Sequence, residues 1–149
     1  MESRFMLRAI ELAKIAATQG EVPVGAVIVK QGKIIGEGYN MREQKSNALS
    51  HAETEAINAA CKCLGDWRLD GCTIYVTLEP CPMCAGAIVN SRIREVVFGA
   101  YDKTMGCIDS AINITTLTFA ADITTYGGIY EDECKQILTE FFKGVRNND

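Results

Sequence analysis

The sequence predicts an α/β fold in which a mixed β-sheet is covered by helices. Two strand-like segments, residues 24–29 and 33–39, flank Gln31-Gly32, a suitable two-residue hairpin turn. Beyond this pair, strand-like and helix-like segments alternate along the chain. An antiparallel hairpin followed by alternating elements is typical of a layered α/β domain with a mixed sheet.

Two helices in the first half of the chain are indicated by the helical spacing of their apolar residues. The first covers residues 3–19, and we expect it to lie on one face of the sheet. The second follows Ser50 and ends near Gly65, where a glycine suits a helix C-terminus. This assignment places His51 and Glu53 in the first turn of the second helix.

The second half of the chain supplies two buried strands and two more helices. Residues 73–78 and 95–100 are predicted strands, separated by a helix that begins at Pro82. Residues 115–126 are rich in β-formers but poorly defined, and residues 131–146 form a closing helix. Strands and helices therefore alternate up to the end of the chain.

Length and composition favour one folded domain over residues 1–149. Hydrophobic residues make up 48% of the 149 residues, enough for a sizeable core. The longest uncharged apolar run is much shorter than the roughly 20 residues of a membrane span, and the charged N-terminus does not resemble a signal peptide. We therefore expect a cytoplasmic protein that does not contact the membrane.

Charge and cysteine content restrict the partners of the chain. Nineteen acidic residues outnumber fifteen basic ones, giving a net charge of −4, so any contact with RNA must come from a local patch. Seven cysteines is an odd number and no secretory signal is evident, which argues against a disulfide framework. We expect reduced thiols, some of which bind metal.

A candidate metal site combines an HAE sequence with a PCPMC sequence. His51 is the only histidine of the chain, and Cys81 and Cys84 are three positions apart on one helical face. Two thiolates and one imidazole suit zinc. Because three protein ligands leave a fourth position for water, this arrangement indicates a catalytic zinc ion and not a closed structural site.

Glu53 lies two residues after the histidine, where its carboxylate can move protons beside the metal. The combination H-x-E with P-C-x-x-C is the known signature of zinc-dependent nucleobase deaminases, whose glutamate is a general acid/base and not a ligand. Zinc lowers the pKa of a bound water to about 7. Glu53 is then expected to take the water proton and deliver it to the ring nitrogen and the departing ammonia.

Three simpler interpretations stay open. Ser50 and Glu53 also fit a helix capping box, S-x-x-E. The CxxC sequence alone would suit a redox dithiol. A structural zinc site would need a fourth ligand, for which the candidates are Cys61, Cys63, Cys72 and Cys107. Cys61 and Cys63 do not share a helical face, so we expect them to be core thiols.

Four stretches resemble the bacterial tRNA-specific adenosine deaminase family. They are HAE at 51–53, TLEPCPMCAGAIVNSRI at 77–93, VVFGA at 96–100 and EVPVGAVIV at 21–29. The HAE and PCxxC parts are shared across the cytidine deaminase superfamily. The resemblance implies a three-layer cytidine-deaminase-like domain with a mixed five-stranded sheet. It also implies a homodimer with one Zn²⁺ per subunit that converts adenosine to inosine at the wobble position of a tRNA anticodon stem-loop.

The resemblance further implies substrate contacts. A base-contacting asparagine matches Asn40, backbone contacts to the flipped-out base match Ala52, and an aspartate that faces the RNA backbone matches Asp102. The RNA-facing closing helix of the family matches Phe142, Lys143 and Arg146. From the residues alone, Asn40 could instead cap a loop, and Lys143 and Arg146 are equally suited to an ordinary solvated helix end.

Two departures from the family keep a second function open. Residues 48–50 are Ala-Leu-Ser where the family carries a Pro-Thr-Ala-like stretch, and residues 120–122 are Ala-Ala-Asp where it carries Asn-His-Arg. The second change replaces polar and basic groups and weakens the case for anticodon binding. The alternative is a deaminase of a free nucleobase or nucleoside of the guanine, adenine or cytidine type. A non-enzymatic zinc or redox domain is a third possibility, and DNA is not an expected partner.

Overall fold

A computed structural model describes residues 2–147, with side chains described for residues 2–145. In that part of the chain five strands alternate with four α-helices and two 3₁₀ turns. In chain order they are α1 (Arg4–Thr18), β1 (Gly25–Lys30), β2 (Lys33–Tyr39), α2 (Ala52–Leu64), β3 (Cys72–Leu78), α3 (Pro82–Asn90), β4 (Glu95–Ala100), the 3₁₀ turns Ile114–Thr116 and Thr118–Ala120, β5 (Thr124–Tyr126) and α4 (Glu131–Asn147). The predicted helices and the first four predicted strands are confirmed within one or two residues at each end.

The five strands form one mixed sheet, as predicted. Their order is β2-β1-β3-β4-β5. Strand β1 pairs antiparallel with both β2 and β3, whereas β3, β4 and β5 run parallel to one another. The carboxyl ends of β3 and β4 therefore meet at one edge of the sheet, where Leu78 pairs with Ala100. Ligand sites in α/β sheets form at this kind of edge.

Helices cover both faces of the sheet, so the predicted three-layer architecture is confirmed. On one face, α1 and α4 bury side chains such as Met6 and Cys134 against Val97. On the other face, α2 and α3 bury Ala56 and Ile88 against the sheet. The central strands β1, β3 and β4 are buried on both sides because both of their faces are covered.

Glycines of β2 let α2 approach the sheet unusually closely. A Cβ atom at Gly38 would overlap the carbonyl oxygen of Ala52, and one at Gly36 would overlap that of Ala56. Small residues on both elements therefore bring their backbones into contact. This close packing holds the N-terminus of α2, where His51 and Glu53 lie, against the edge of the sheet.

The segment before α4 differs most from a simple β prediction. Only Thr124–Tyr126 is a strand, and two 3₁₀ turns precede it. The side chain of Asn113 accepts a hydrogen bond from the backbone N–H of Thr115 at 3.0 Å, which starts the first turn. This local cap outweighs the β propensity of the threonines and isoleucines that follow.

Among residues 2–147, no helix is long and apolar enough to cross a membrane. The cytoplasmic location stays a prediction. The assignment of residues 1–149 to a single domain also stays a prediction.

Candidate active site

The three predicted metal ligands lie at the N-termini of two helices. His51 is the residue immediately before α2, Cys81 is the residue immediately before α3, and Cys84 lies in the first turn of α3. The sequence placed His51 one residue further into α2. The helix begins later because the backbone N–H of His51 donates to the hydroxyl of Thr54 at 3.0 Å, which makes His51 the capping residue.

The ligand atoms are spaced as a tetrahedral ion requires. The Nδ1 atom of His51 lies 3.7 Å from Sγ of Cys81 and 3.5 Å from Sγ of Cys84. Zn–S bonds of about 2.3 Å and Zn–N bonds of about 2.0 Å, joined at a tetrahedral angle, separate sulfur and nitrogen by about 3.5 Å. Within residues 2–145 no other group of three or more histidine, cysteine or acidic side chains clusters in this way.

The two thiols shift each other's pKa in opposite directions. The pKa of Cys81 is lowered to about 4, because the Cys84 thiol donates a hydrogen bond to it and this outweighs burial. That same hydrogen bond, together with burial, raises the pKa of Cys84. A divalent cation would stabilise both thiolates and release the remaining proton.

Glu53 is buried beside the ligands and is not one of them. Its side chain is 4% exposed, and burial raises its pKa to about 7 despite opposing hydrogen bonds and the nearby histidine. The alternative capping box is not formed, since the backbone N–H of Ser50 donates to the carbonyl of Asn47 at 3.1 Å. The carboxylate of Glu53 is thus placed for proton transfer near neutral pH.

A pocket of about 250 Å³ opens beside this group. Its size is at the low end for ligand pockets, which suits one nucleobase. Valines and a leucine form its apolar walls. Six of the predicted site residues line it: Asn40, His51, Ala52, Glu53, Cys81 and Asp102.

Asn40 presents an unusual polar atom in this pocket. The side chain is 7% exposed, and its Nδ2 group donates to the carbonyl of Val22 at 3.3 Å. Its Oδ1 atom is buried and has no hydrogen-bond partner within the described residues. A buried acceptor left unpaired costs about 1–3 kcal/mol. The loop-capping hypothesis gives this oxygen no role, whereas a donor on a bound ligand would satisfy it.

Asp102 lies just past β4, where it lines the pocket and also stabilises a turn. Its Oδ1 atom accepts the backbone N–H groups of Thr104 and Met105 at 3.1 Å each. This turn carries Met105 into the pocket wall. Asp102, which was predicted to face RNA, therefore stabilises the turn formed by the residues that follow it.

Three residues near the pocket were missed by the sequence analysis. Arg42 lines the pocket and is exposed, two positions after Asn40. Glu79 and Glu21 are buried carboxylates that accept hydrogen bonds from the backbone N–H groups of two loops. Both glutamates lie next to apolar residues, which was the only available signal that they are buried. Their hydrogen-bond partners could not be predicted because they are distant in sequence.

The predicted contacts of the closing helix do not line the pocket. Phe142 and Lys143 are exposed on α4, where the Phe142 ring meets that of Phe141 at 5.4 Å between centroids. The side chain of Arg146 lies outside the described residues. The roles assigned to these three residues stay predictions.

The departure at residues 120–122 lies far from the pocket. Strand β5, which follows it, pairs Thr124 with Glu95 at the start of β4, whereas Asp102 follows the end of β4. Six residues of strand separate these ends by about 16 Å. Asp122 also forms an ion pair with Arg94 at 2.6 Å. The negative charge of Asp122 therefore lies at the opposite end of the sheet from the pocket.

The remaining cysteines do not extend the metal group. Cys72 and Cys107 are buried elsewhere, and Cys61 packs partly against the core. The expectation that Cys63 is a core thiol is wrong, because this residue is exposed. It lies near the C-terminus of α2, where the helix turns its outer face to solvent.

Comparison with known proteins assigns the chain to a family. The profile of the MafB19-like deaminases matches residues 2–146. The chain belongs to this deaminase family. The redox and non-enzymatic zinc interpretations are therefore set aside.

Individual members similar to this deaminase match it over nearly its full length. It is 48% identical over 143 residues to the tRNA-specific adenosine deaminase of Bacillus subtilis (strain 168), which covers 95% of this chain and 89% of that protein. A structure solved in a study of A-to-I editing by tRNA deaminases at the wobble position of transfer RNA superposes with a TM-score of 0.88. It is 38% identical and covers 92% of this chain and 100% of that chain.

This deaminase also resembles a guanine deaminase, but over less of its length. The structure of guanine deaminase from Bacillus subtilis is 44% identical, with a TM-score of 0.65, and covers 68% of this chain and 65% of that chain. The motifs at 51–53 and 77–84 are thus compatible with more than one substrate class. The structure of a guanine deaminase from Nitrosomonas europaea covers 95% of this chain with a TM-score of 0.83, but at 24% identity it shows a shared fold only.

Proposed function

We propose that this deaminase converts adenosine to inosine at the wobble position of a tRNA anticodon and releases ammonia. One observation carries the proposal: the match to a tRNA-specific adenosine deaminase runs through 95% of this chain at 48% identity. The match to the structure solved in the study of tRNA deaminases covers 100% of that chain. The pocket beside Glu53 has the size of one base, which suits a nucleotide flipped out of an RNA loop.

One zinc ion per subunit is the cofactor that the ligand set fits best. His51, Cys81 and Cys84 would hold it, since two thiolates with an imidazole favour zinc over harder cations. The separations of 3.5 and 3.7 Å between the nitrogen and the sulfurs support this choice. When bound, the ion supplies a water activated for attack on the ring carbon that carries the amine.

Glu53 is proposed to carry the protons of the reaction. The carboxylate removes a proton from the attacking water and delivers it to the adjacent ring nitrogen. It then takes the second proton from the hydroxyl that has added to the ring carbon and passes it to the amine, so that one water is consumed and one ammonia leaves. A pKa raised by burial to about 7 suits a group that must both accept and donate protons.

Asn40 and Ala52 are proposed to hold the base in this pocket. The unpaired Oδ1 atom of Asn40 would accept a hydrogen bond from an N–H or O–H group of the nucleoside. Ala52, at the start of α2, offers backbone groups from the opposite side. Correct seating of the base then brings its amine-bearing carbon to the metal and to Glu53.

The RNA outside the pocket is proposed to contact charged and aromatic residues around the opening. Asp102 would face the RNA backbone, and the exposed cation of Arg42 would offset the phosphate charge. Phe142, Lys143 and Arg146 on α4 would extend this surface. A local set of cations of this kind is what a chain with a net charge of −4 needs in order to bind RNA.

A homodimer in the cytoplasm completes the proposal. The outer face of α3 presents the small and apolar residues Met83, Gly86 and Ala87 next to Phe119, which is 63% exposed. A second copy of the chain would remove this surface from water. The same helix carries Cys84, so the interface would support the metal ligands from outside.

Deamination of free guanine is the second candidate function. Its support is the 44% identity to a guanine deaminase, which is limited to 68% of this chain. The unpaired acceptor of Asn40 would also receive an N–H group of guanine. This candidate requires the pocket to bind a base without any contribution from surrounding RNA.

Competition between substrates tests the two functions. An anticodon stem-loop with adenosine at the wobble position is incubated with the zinc-loaded protein. Free adenosine, adenine, cytidine and guanine are incubated with the protein in parallel reactions. Inosine in the RNA, identified by mass spectrometry after digestion, and no ammonia from the free compounds support tRNA editing. Ammonia from guanine without any inosine in the RNA would overturn it in favour of the second candidate.

A further inference from the structure

Glu79 is a buried carboxylate surrounded by hydrogen-bond donors. It follows β3 directly, two positions before Cys81, and is 2% exposed. Its Oε2 atom accepts three consecutive backbone N–H groups, from Ile108, Asp109 and Ser110, at 3.1, 2.7 and 3.0 Å. Its Oε1 atom accepts the backbone N–H of Asp102 at 3.1 Å and the hydroxyl of Ser110.

These donors come from both ends of one loop, residues 102–110, which we call the wall loop. The loop contains no helix or strand, yet it passes around the carboxylate closely enough that a Cβ atom at Gly106 would overlap it. A further backbone hydrogen bond joins Cys107 to the carbonyl of Pro80 at 2.9 Å. The wall loop is therefore folded around the side chain of Glu79.

The wall loop forms one side of the substrate pocket. It carries Asp102 and Met105, both of which line the cavity opposite the α2 N-terminus. Their positions depend on how the loop backbone is held. The loop has hydrogen bonds of its own, such as that from the Gly106 N–H to the Asp102 carbonyl at 2.8 Å, and Glu79 adds the bonds that join residue 102 to residues 108–110. A shift of the loop would widen or narrow the opening without moving the metal ligands.

We propose that Glu79 is a positioning residue that sets substrate affinity by fixing the wall loop. The proposal rests on the proposed function for the identity of the substrate. Five donors fill the roughly four lone-pair positions of a carboxylate, which leaves Glu79 no acceptor for a substrate or an ion. Its effect on the reaction therefore passes through Asp102 and Met105.

Glu79→Gln tests this role because the amide keeps the size of the side chain but turns one acceptor into a donor that faces other donors. The KM for the stem-loop is expected to rise about tenfold, with kcat and zinc content unchanged. In the zinc-loaded protein, hydrogen exchange of the backbone amides in residues 102–110 is expected to become faster. A role in the general stability of the core would not separate KM from kcat in this way.

Two control variants isolate the effect. Glu21→Gln changes another buried carboxylate, which accepts the backbone N–H groups of Glu43 and Gln44 at 3.1 and 2.8 Å, so exchange should increase at 43–44 and not in the wall loop. Ile74→Val weakens the core within β3 and should lower the melting temperature while leaving KM unchanged.

The outcomes separate this proposal from the proposed function. Unchanged exchange in residues 102–110, or a loss of zinc and kcat at unchanged KM, would overturn the role of Glu79. If Glu79→Gln does not fold, Ser110→Ala must show smaller shifts in the same direction, and their absence overturns the proposal. If the wild-type protein makes no inosine, the proposed function fails, while the exchange measurement still decides whether Glu79 holds the loop.

Discussion

The Sγ atom of Cys84 lies 3.5 Å from the Nδ1 atom of His51, although the two residues are 33 positions apart in sequence. Packing of α2 and α3 on the same face of the sheet creates this proximity. Since Cys81 joins them at a similar distance, three soft ligands surround one point at two helix N-termini. The fold thus gathers three side chains that could hold one cation.

Removing one ligand should remove the metal. We expect the purified wild-type protein to contain about one zinc per chain and Cys84→Ala to contain almost none, because two remaining ligands bind zinc weakly. Elemental mass spectrometry measures the content. Cys72→Ala, which deletes another buried thiol, is the matched control and should keep its zinc. A Cys84→Ala protein that retains one zinc per chain would disprove the assigned ligand set.

Alkylation of the cysteines should report the metal site. At pH 8 in the zinc-loaded protein, we expect iodoacetamide to modify the exposed Cys63 first. Cys134 should stay unmodified, because burial raises its pKa to about 12 and leaves almost no thiolate. A chelator should then make Cys81 reactive, since its pKa without a cation is lowered to about 4. Peptide mapping that finds Cys81 modified as fast as Cys63 before chelation contradicts metal ligation.

Asn40→Ala should separate stability from activity. The substitution removes an unpaired buried oxygen, and the carbonyl of Val22 keeps a second donor, the N–H of Val24 at 2.9 Å. We expect the free energy of unfolding to change by less than about 1 kcal/mol, while kcat/KM for the stem-loop falls about 10- to 100-fold. Denaturant titration and initial rates measure the two quantities. Large destabilisation with normal kinetics would show that Asn40 serves the loop and not the substrate.

Arg42→Ala should weaken RNA binding in a salt-dependent way. Its exposed cation at the pocket opening is expected to neutralise one phosphate, so the variant should bind the stem-loop more weakly at low salt. The slope of log affinity against log salt should fall by about 0.7. Fluorescence anisotropy at several salt concentrations measures it. Arg68→Ala, at the other end of α2, should leave the slope unchanged, and equal effects of the two variants would exclude a specific phosphate contact.

Local motifs explain why much of the site was predictable from sequence. His51 and Glu53 are two positions apart at the start of α2, and Cys81 and Cys84 are three positions apart at the start of α3, so each pair belongs to one short motif. The hairpin was predictable for the same reason, since Gln31 and Gly32 both have positive φ values, as their turn requires. These features depend on a few consecutive residues.

Long-range contacts explain what was missed. The hydrogen bonds of Glu79 reach up to 31 positions along the chain, and no local pattern connects it to Ser110. The acidic Asp122 looked unfavourable for RNA binding until its ion pair with Arg94 and its distance from the pocket became visible. Such partners are set by sheet order and loop path, which spacing does not encode.

Glu53→Gln, measured beside Glu55→Gln, tests most directly whether this buried carboxylate drives deamination at the metal site. Both residues lie in the first turn of α2, but Glu55 pairs with Lys45 at 2.9 Å on the surface. We predict that both variants keep one zinc per chain, and that only Glu53→Gln loses inosine formation, by about a hundred- to ten-thousand-fold. Inosine formation at the wild-type rate by zinc-loaded Glu53→Gln would contradict the proposed mechanism.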